Sequence, residues 1–176
     1  MEQTSMFYIP IYHLTITNWK MKKEKLLAIA RDIKNVDHVT TDFFSGTIRD
    51  KENTNEFASI MFDELEKFKG FSGINNYVVK ETWIQISERG DHHPVHSHGA
   101  LGFSSVIFLD YDPAVHSSTQ FFSPFKNFIT GCDLFYTPQN IVEGSMIFFP
   151  SAIGHFATPN TSDKVRKIIS CNLIVE

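Results

Sequence analysis

The 176-residue chain predicts an α+β fold that is mainly β, a sandwich or small barrel with N-terminal helices packed on one face. Three observations carry this expectation. Two stretches of helical periodicity lie within the first 73 residues. From residue 74 onward, short runs rich in Val, Ile, Phe and Thr alternate with clusters of Gly, Pro, Asn and Asp. Finally, 17 Phe in a chain that is 42% apolar suggest a core packed with aromatic rings.

Met6 to Ile16 reads as an extended segment, with Pro10 favouring a sheet edge. Lys22 to Asn35 reads as an amphipathic helix with Leu26, Leu27, Ala30 and Ile33 on one face. Asn53 to Lys69 is a second helix, because Phe57, Ile60, Met61, Leu65 and Phe68 recur at helical spacing. Thr54 can cap its start and Gly70 can end it. Strands are expected at Tyr77 to Ser87, with Trp83 at the centre, then Phe103 to Leu109, Thr119 to Phe122 and Asp133 to Tyr136. Ser145 to Phe149 and Lys167 to Val175 complete the set. No repeat or linker interrupts the chain, so 1–176 reads as one domain. Residues 1–73 supply a strand and supporting helices, and 74–176 form a β-core carrying the site.

Charge excludes some functions. The net charge is −4, and basic and acidic residues are mixed along the chain, which leaves no footprint for nucleic acid. No stretch approaches the ~18 apolar residues of a membrane span. Met1 to Ser5 has no basic leader pattern, so a cytoplasmic setting is expected, with Cys132 and Cys171 as buried thiols.

The chemistry concentrates in four residues. His96 and His98 stand in Asp91-His92-His93-Pro94-Val95-His96-Ser97-His98, His155 follows Phe148-Phe149-Pro150-Ser151, and Arg166 comes eleven residues later. Neutral imidazole is the commonest metal ligand near neutral pH and suits iron, zinc or copper. In an extended segment residues two apart share a face, so His96 and His98 can converge on one ion. Pro94 biases His93 away from helix, and Gly99 allows a turn. The bland alternatives are an exposed histidine-rich loop and, for Arg166, a solvated basic turn shared with Lys164 and Lys167. His92 and His93 read as loop or substrate-contacting residues, and His13, His38 and His116 as ordinary ones. Phe103 and Phe121 are candidates to line a pocket, and Trp83 reads as core.

These residues carry a resemblance. The stretch from Trp83 to Asn172 is similar to the 2-oxoglutarate and Fe(II)-dependent oxygenases, and especially to a compact, prolyl-hydroxylase-like group found in bacteria and phages. Four pieces match in order: His96-Ser97-His98, the strand Ser104 to Leu109, Glu143 to Ser151 ahead of His155, and Arg166 to Asn172. The resemblance implies a double-stranded β-helix, or cupin-like jelly-roll, holding Fe(II) in its mouth. Three protein ligands leave three positions open, for 2-oxoglutarate as co-substrate and for O2. The implied reaction hydroxylates a C–H bond of a peptidyl or small-molecule substrate and releases succinate and CO2. Ascorbate is the accessory cofactor implied, and a homodimer is allowed.

By the same resemblance His96 and His155 are iron ligands, and Arg166 clamps the far carboxylate of 2-oxoglutarate. Ser170 and Asn172, on the same strand face as Arg166, would add hydrogen bonds. One departure stands out: the family pattern has Asp or Glu at the position of His98. Either the metal is held by His96, His98 and His155, the preferred reading, or His98 stands behind the site and a water, Asp91 or Asp110 completes it. Close relatives also tend to have Gly at Ser105 and Tyr at Ile107, and a lost Tyr hydroxyl would alter how 2-oxoglutarate is held. Two other functions fit the residues: a three-histidine cupin-type dioxygenase that does not use 2-oxoglutarate, and a non-catalytic jelly-roll stabilised by zinc.

Overall fold

A computed structural model describes residues 7–29, 34–36, 39–41 and 51–176. In chain order the elements are β1 (Tyr12–Thr15), α1 (Trp19–Ile29), β2 (Lys34–Val36), β3 (Val39–Thr41), α2 (Lys51–Ile60) and α3 (Phe62–Ser72). They continue with β4 (Tyr77–Ser87), β5 (His93–His96), β6 (Phe103–Asp110), β7 (Gln120–Phe122) and β8 (Phe135–Tyr136). The last three are β9 (Ser145–Pro150), β10 (His155–Ala157) and β11 (Arg166–Val175). Seven strands form one antiparallel sheet in the order β1-β9-β6-β11-β4-β3-β2, and four form a second in the order β5-β10-β7-β8. This is the jelly-roll that the sequence led us to expect.

The large sheet is covered on both faces, and strand alternation decides which residue serves which face. Ile107, Leu109, Met146, Phe148, Ile169, Cys171 and Leu173 pack against Leu26 and Ile29 of α1, Phe57 of α2 and Leu65 and Phe68 of α3. Their neighbours Val106, Phe108, Ile147, Phe149 and Ile168 point the other way and pack with Phe121 of the small sheet. Double coverage explains the uninterrupted apolar run of β6, where Ser104 to Leu109 are all buried. In β4 the first half alternates between partly buried and exposed, whereas Thr82 to Gln85 are all buried. Aromatic stacking supports the helix side: the Phe68 and Phe148 rings are parallel with centroids 4.1 Å apart.

A buried ion pair locks the helices to each other. Lys22 of α1 bonds the Glu64 carboxylate of α3, which also accepts hydrogen bonds from the Thr17 backbone N–H and hydroxyl. Burial alone would raise the Glu64 pKa, but Lys22 and Thr17 hold it below its ordinary value.

Several expectations need correction. Helix α1 starts earlier than expected and ends at Ile29, and Asn35 lies in a strand. Strands of three residues show too little of the two-residue period to be read from sequence. The buried face of α1 is Lys22, Leu26 and Ile29, and Leu27 is 36% exposed; Met6, Ala30, Ile33 and His38 lie outside the described residues. The second helix begins at Lys51, so Thr54 is interior rather than a cap, and it divides at Met61 into α2 and α3. Gly70 lies inside α3, and Gly73 ends it at φ 74°, donating its N–H to the Lys69 carbonyl. Cys171 is buried, but Cys132 is exposed. Phe71 and Phe128 stand in solvent, so the phenylalanines are not all core. No described helix is long and apolar enough to cross a membrane.

Gly102 marks the tightest backbone crossing. It sits at φ +85°, and a Cβ there would lie 2.0 Å from the Leu173 carbonyl oxygen on β11. Both effects oppose a side chain. Gly102→Ala is expected to cost about 3 kcal/mol, lowering the thermal midpoint by roughly 6–12 °C. An unchanged melting curve by circular dichroism would contradict this packing.

Candidate metal centre and its pocket

Sheet register assembles the histidines. His96 ends β5, His155 begins β10, and the two are directly paired across the small sheet. Their ring centroids are therefore 4.2 Å apart. His98 follows two residues after His96, and its backbone N–H donates to the Ser151 carbonyl at 2.9 Å. That bond ties the His-Ser-His segment to the Phe-Phe-Pro-Ser segment and swings the His98 ring to 4.8 Å from His155. One nitrogen from each of the three rings lies within 4.8 Å of the others, so the cluster can hold one metal ion.

Each ring also has its proton placed. His96 Nδ1 faces the Pro94 carbonyl at 2.9 Å, and His155 Nδ1 faces the Ile153 carbonyl at 3.0 Å. His98 Nδ1 faces Asn172 Oδ1 at 2.8 Å and the Ser104 hydroxyl at 2.9 Å. A carbonyl oxygen can only accept, so each Nδ1 carries the hydrogen and each Nε2 presents a lone pair. Burial disfavours the imidazolium forms. It pushes His155 down to about 3, helped by the nearby His96, and it lowers His96 and His98 against the opposing pull of Pro94 and Asn172.

The wall opposite comes from the large sheet. Arg166 opens β11, is 4% exposed, and lines the same pocket as the three histidines, together with Ser170, Gln85 and Trp83. Its guanidinium lies over the Phe108 ring at 5.8 Å, yet Nε and Nη2 are buried without a hydrogen-bond partner among the described residues. Burial lowers its pKa to about 10, which leaves it protonated at neutral pH. A buried cation left without a partner costs several kcal/mol, and an anion in the pocket would offset that cost. The solvated-turn alternative does not describe Arg166. Lys164 and Lys167 do not line the pocket and pair with Asp112 and Asp110.

Some sequence expectations landed elsewhere. Asn172 does not reach toward Arg166; its amide bonds His98, Ser104 and Glu81. Asp91 caps a turn by accepting from the Glu88 N–H, and Asp110 is held by Lys23 and Lys167, so neither joins the cluster. Ser105 and Ile107 face the helix-side core, where Ser105 meets Cys171 and Ile107 is fully buried. A hydroxyl on residue 107 would therefore not reach the pocket, and Val106 faces it instead. Phe103 packs with the helix-side core, whereas Phe121 and Phe149 lie on the His155 ring and also line an apolar cleft of about 470 Å3. His116 is structural, bridging the Asp112 N–H and the Lys164 carbonyl.

Sequence reasoning undervalued His93. It lies on β5, its ring is 3.9 Å from His96, and burial with His96 and His98 pushes it down to about 3. Gln85, Thr119 and Glu81 were missed. The available signal was the row Glu81, Trp83, Gln85 and Ser87, which share one face of β4 and are too polar for plain core.

Two antiparallel sheets with three imidazoles that could hold one metal ion and a buried arginine in the same pocket define a jelly-roll with a candidate metal centre. The chain belongs to the 2OG-Fe(II) oxygenases: the profile of the family described as "Putative 2OG-Fe(II) oxygenase" matches residues 81–172, just over half of the sequence. The family implies Fe(II) and 2-oxoglutarate as cofactors, and the histidine cluster is fit to hold the metal. Among solved structures, the chain is similar to a Pseudomonas putida prolyl-4-hydroxylase, with a TM-score of 0.60 at 13% identity over 94% of this chain and 92% of that one. It is also similar to the viral collagen prolyl hydroxylase of Paramecium bursaria Chlorella virus-1, solved with 2-oxoglutarate, with a TM-score of 0.55 at 12% identity over 94% and 96%. HygX from Streptomyces hygroscopicus, solved with nickel and 2-oxoglutarate, gives 0.63 at 10% over 93% and 82%. At these identities the likeness is one of fold. No curated protein sequence matches the chain.

The neutral rings have a consequence for stability. Their folded pKa values lie below the 6.5 of a free imidazole, so the unfolded chain takes up protons first as pH falls. The metal-free protein should lose stability as pH drops from 6.5 toward about 3, the window set by His155. Glu64 contributes only near and below the ordinary carboxyl value of 4.5. Melting curves between pH 6.5 and 4.5 should therefore slope downward for the native chain and less steeply in His155→Phe, where His93, His96 and His98 still contribute. Equal slopes would contradict the buried neutral ring.

Proposed function

We propose that this protein is an Fe(II)- and 2-oxoglutarate-dependent dioxygenase that hydroxylates a C–H bond of a peptidyl or small-molecule substrate, releasing succinate and CO2. His96, His98 and His155 are its metal ligands, and Arg166 is its co-substrate clamp. The observation that carries this reading is the buried, unpaired guanidinium of Arg166 in the same pocket as three bare Nε2 atoms. A dicarboxylate fits both demands, with one end meeting the metal and the other pairing with Arg166 in a charge-assisted, two-point bond.

The chain's own groups do the positioning. Carbonyl oxygens of Pro94 and Ile153 fix the outward nitrogens of His96 and His155. Three neutral ligands leave the full metal charge to attract the anion. Ser170 lines the wall beside Arg166, and Trp83 stands edge-on to His98 at 5.1 Å, closing that side to water. Bound iron would supply the redox chemistry that couples 2-oxoglutarate decarboxylation to oxygen insertion. The free space among these groups is about 20 Å3, enough for about one water. A five-carbon diacid therefore enters only as lining side chains move apart. The apolar cleft beside Phe121 and Phe149 supports an apolar or aromatic substrate group near the cluster.

Anaerobic addition of Fe(II) and 2-oxoglutarate should produce a visible charge-transfer band, and its absence in iron-loaded protein counts against the proposal. Arg166→Ala should keep its metal but bind 2-oxoglutarate at least about 30-fold more weakly, as expected when one partner of a buried charged pair is removed. The all-histidine cluster also suits a dioxygenase that binds its substrate directly. Oxygen uptake without succinate, unchanged in Arg166→Ala, would select that reading instead.

A further inference from the structure

We infer that Glu81 and Asn172 form a positioning relay for His98. The relay sets which ring nitrogen is bare and places a carboxylate two hydrogen bonds from a cluster that has no acidic member among the described residues. The inference rests on the proposed role of His98 as a metal ligand.

Asn172 lies on β11, directly opposite Glu81 of β4 on one side and Ser104 of β6 on the other. The sheet register thus forms a polar row across three strands. The row ends at a bulge, since Leu173 pairs with Val79 and Lys80 is skipped. A bulge at this point re-aims side chains locally. Asn172 Nδ2 donates to Glu81 Oε1 at 2.7 Å, and its Oδ1 accepts from His98 at 2.8 Å and from the Ser104 hydroxyl at 2.7 Å. Ser104 in turn meets the Ser151 hydroxyl at 2.9 Å.

An amide has a donor end and an acceptor end, and a carboxylate can only accept. Glu81 therefore holds the Asn172 NH2 toward β4 and turns its oxygen toward His98. If the amide were reversed, its NH2 would face His98 Nδ1, and the ring would have to carry its hydrogen on Nε2, the atom needed for the metal. Glu81 never touches the imidazole, yet it decides the tautomer. His96 and His155 differ, because the Nδ1 partners that fix their tautomers are backbone carbonyls. Among the described residues, His98 is the one of the three whose Nδ1 partners are side chains. Partners of this kind also raise the basicity of a ligating ring.

Co(II) titration of the full chain tests the relay, read by affinity and by the visible ligand-field bands. Glu81→Gln keeps size but removes the charge and the acceptor-only constraint. It should weaken Co(II) binding about 10-fold or more and shift the bands, as should Asn172→Ala. The double variant should be no weaker than Asn172→Ala alone, because Glu81 acts through the amide. Wild-type affinity and bands in Glu81→Gln, with at most a shifted urea midpoint, would overturn the relay, and so would additive losses in the double variant. If the unmodified protein fails to bind Co(II), the metal-site reading falls and the relay with it. If that protein binds normally and Glu81→Gln matches it, only the relay falls.

Discussion

The two-residue period of one central strand organises this molecule. Strand β11 lies between β4 and β6, buried on both faces. Ile169, Cys171 and Leu173 join the core beneath the helices. Arg166, Ile168, Ser170 and Asn172 face the opposite side, where the small sheet brings the histidines. A slip of one residue would exchange the two sets, turning Ser170 and Asn172 toward the helix-side core and Ile169, Cys171 and Leu173 toward the pocket. The core that stabilises the fold therefore also fixes the height of Arg166 and the facing of Asn172.

Electrostatics on the site side run in one direction. Burial keeps the imidazoles neutral and leaves the guanidinium of Arg166 charged, and among the described residues no carboxylate joins the cluster. Elsewhere the chain pairs its interior charges closely, as in Lys22 with Glu64. The contrast is informative. Lys22 is satisfied where it is buried, whereas two nitrogens of Arg166 have no partner among the described residues, and this contrast is what supports the proposed role of Arg166. The two sheets divide this work, with the small one supplying His96 and His155 and the large one supplying Arg166 and the polar row that steadies His98.

Much of the fold was legible because long, doubly covered strands carry a strong pattern. Tyr77–Ser87 was read to the residue, and Phe103, Ser145 and Lys167 were each placed at or within one residue of an observed strand start. Errors gathered where pattern is short or shared. Strands β2 and β3 are three residues each, and the expected end of α1 at Asn35 overran into β2. Thr54 and Gly70 have capping chemistry but sit inside helices, because tertiary contacts of Phe57 and Phe68 extend both helices past them. The histidines were legible as an H-x-H pair with a distant partner, since that spacing suits one face of an extended chain. His93 was read as a loop or substrate-contacting residue, because the strand pairing that sets β5 beside β10 leaves no mark in the local sequence.

Periodicity and composition in the sequence were enough to determine an α+β, mainly β chain, and the resemblance of its motifs to a known family carried the jelly-roll core, the grouping of three imidazoles with an arginine, and the family. Those properties depend on residue type and on spacing along the chain, which folding does not change. Only the tertiary structure decided that the Asn172 amide bonds His98, that Glu81 stands behind it, and that Ile107 faces away from the pocket. Each of these depends on cross-strand register between segments tens of residues apart. Register is set by how whole faces pack, and no local stretch of sequence contains it.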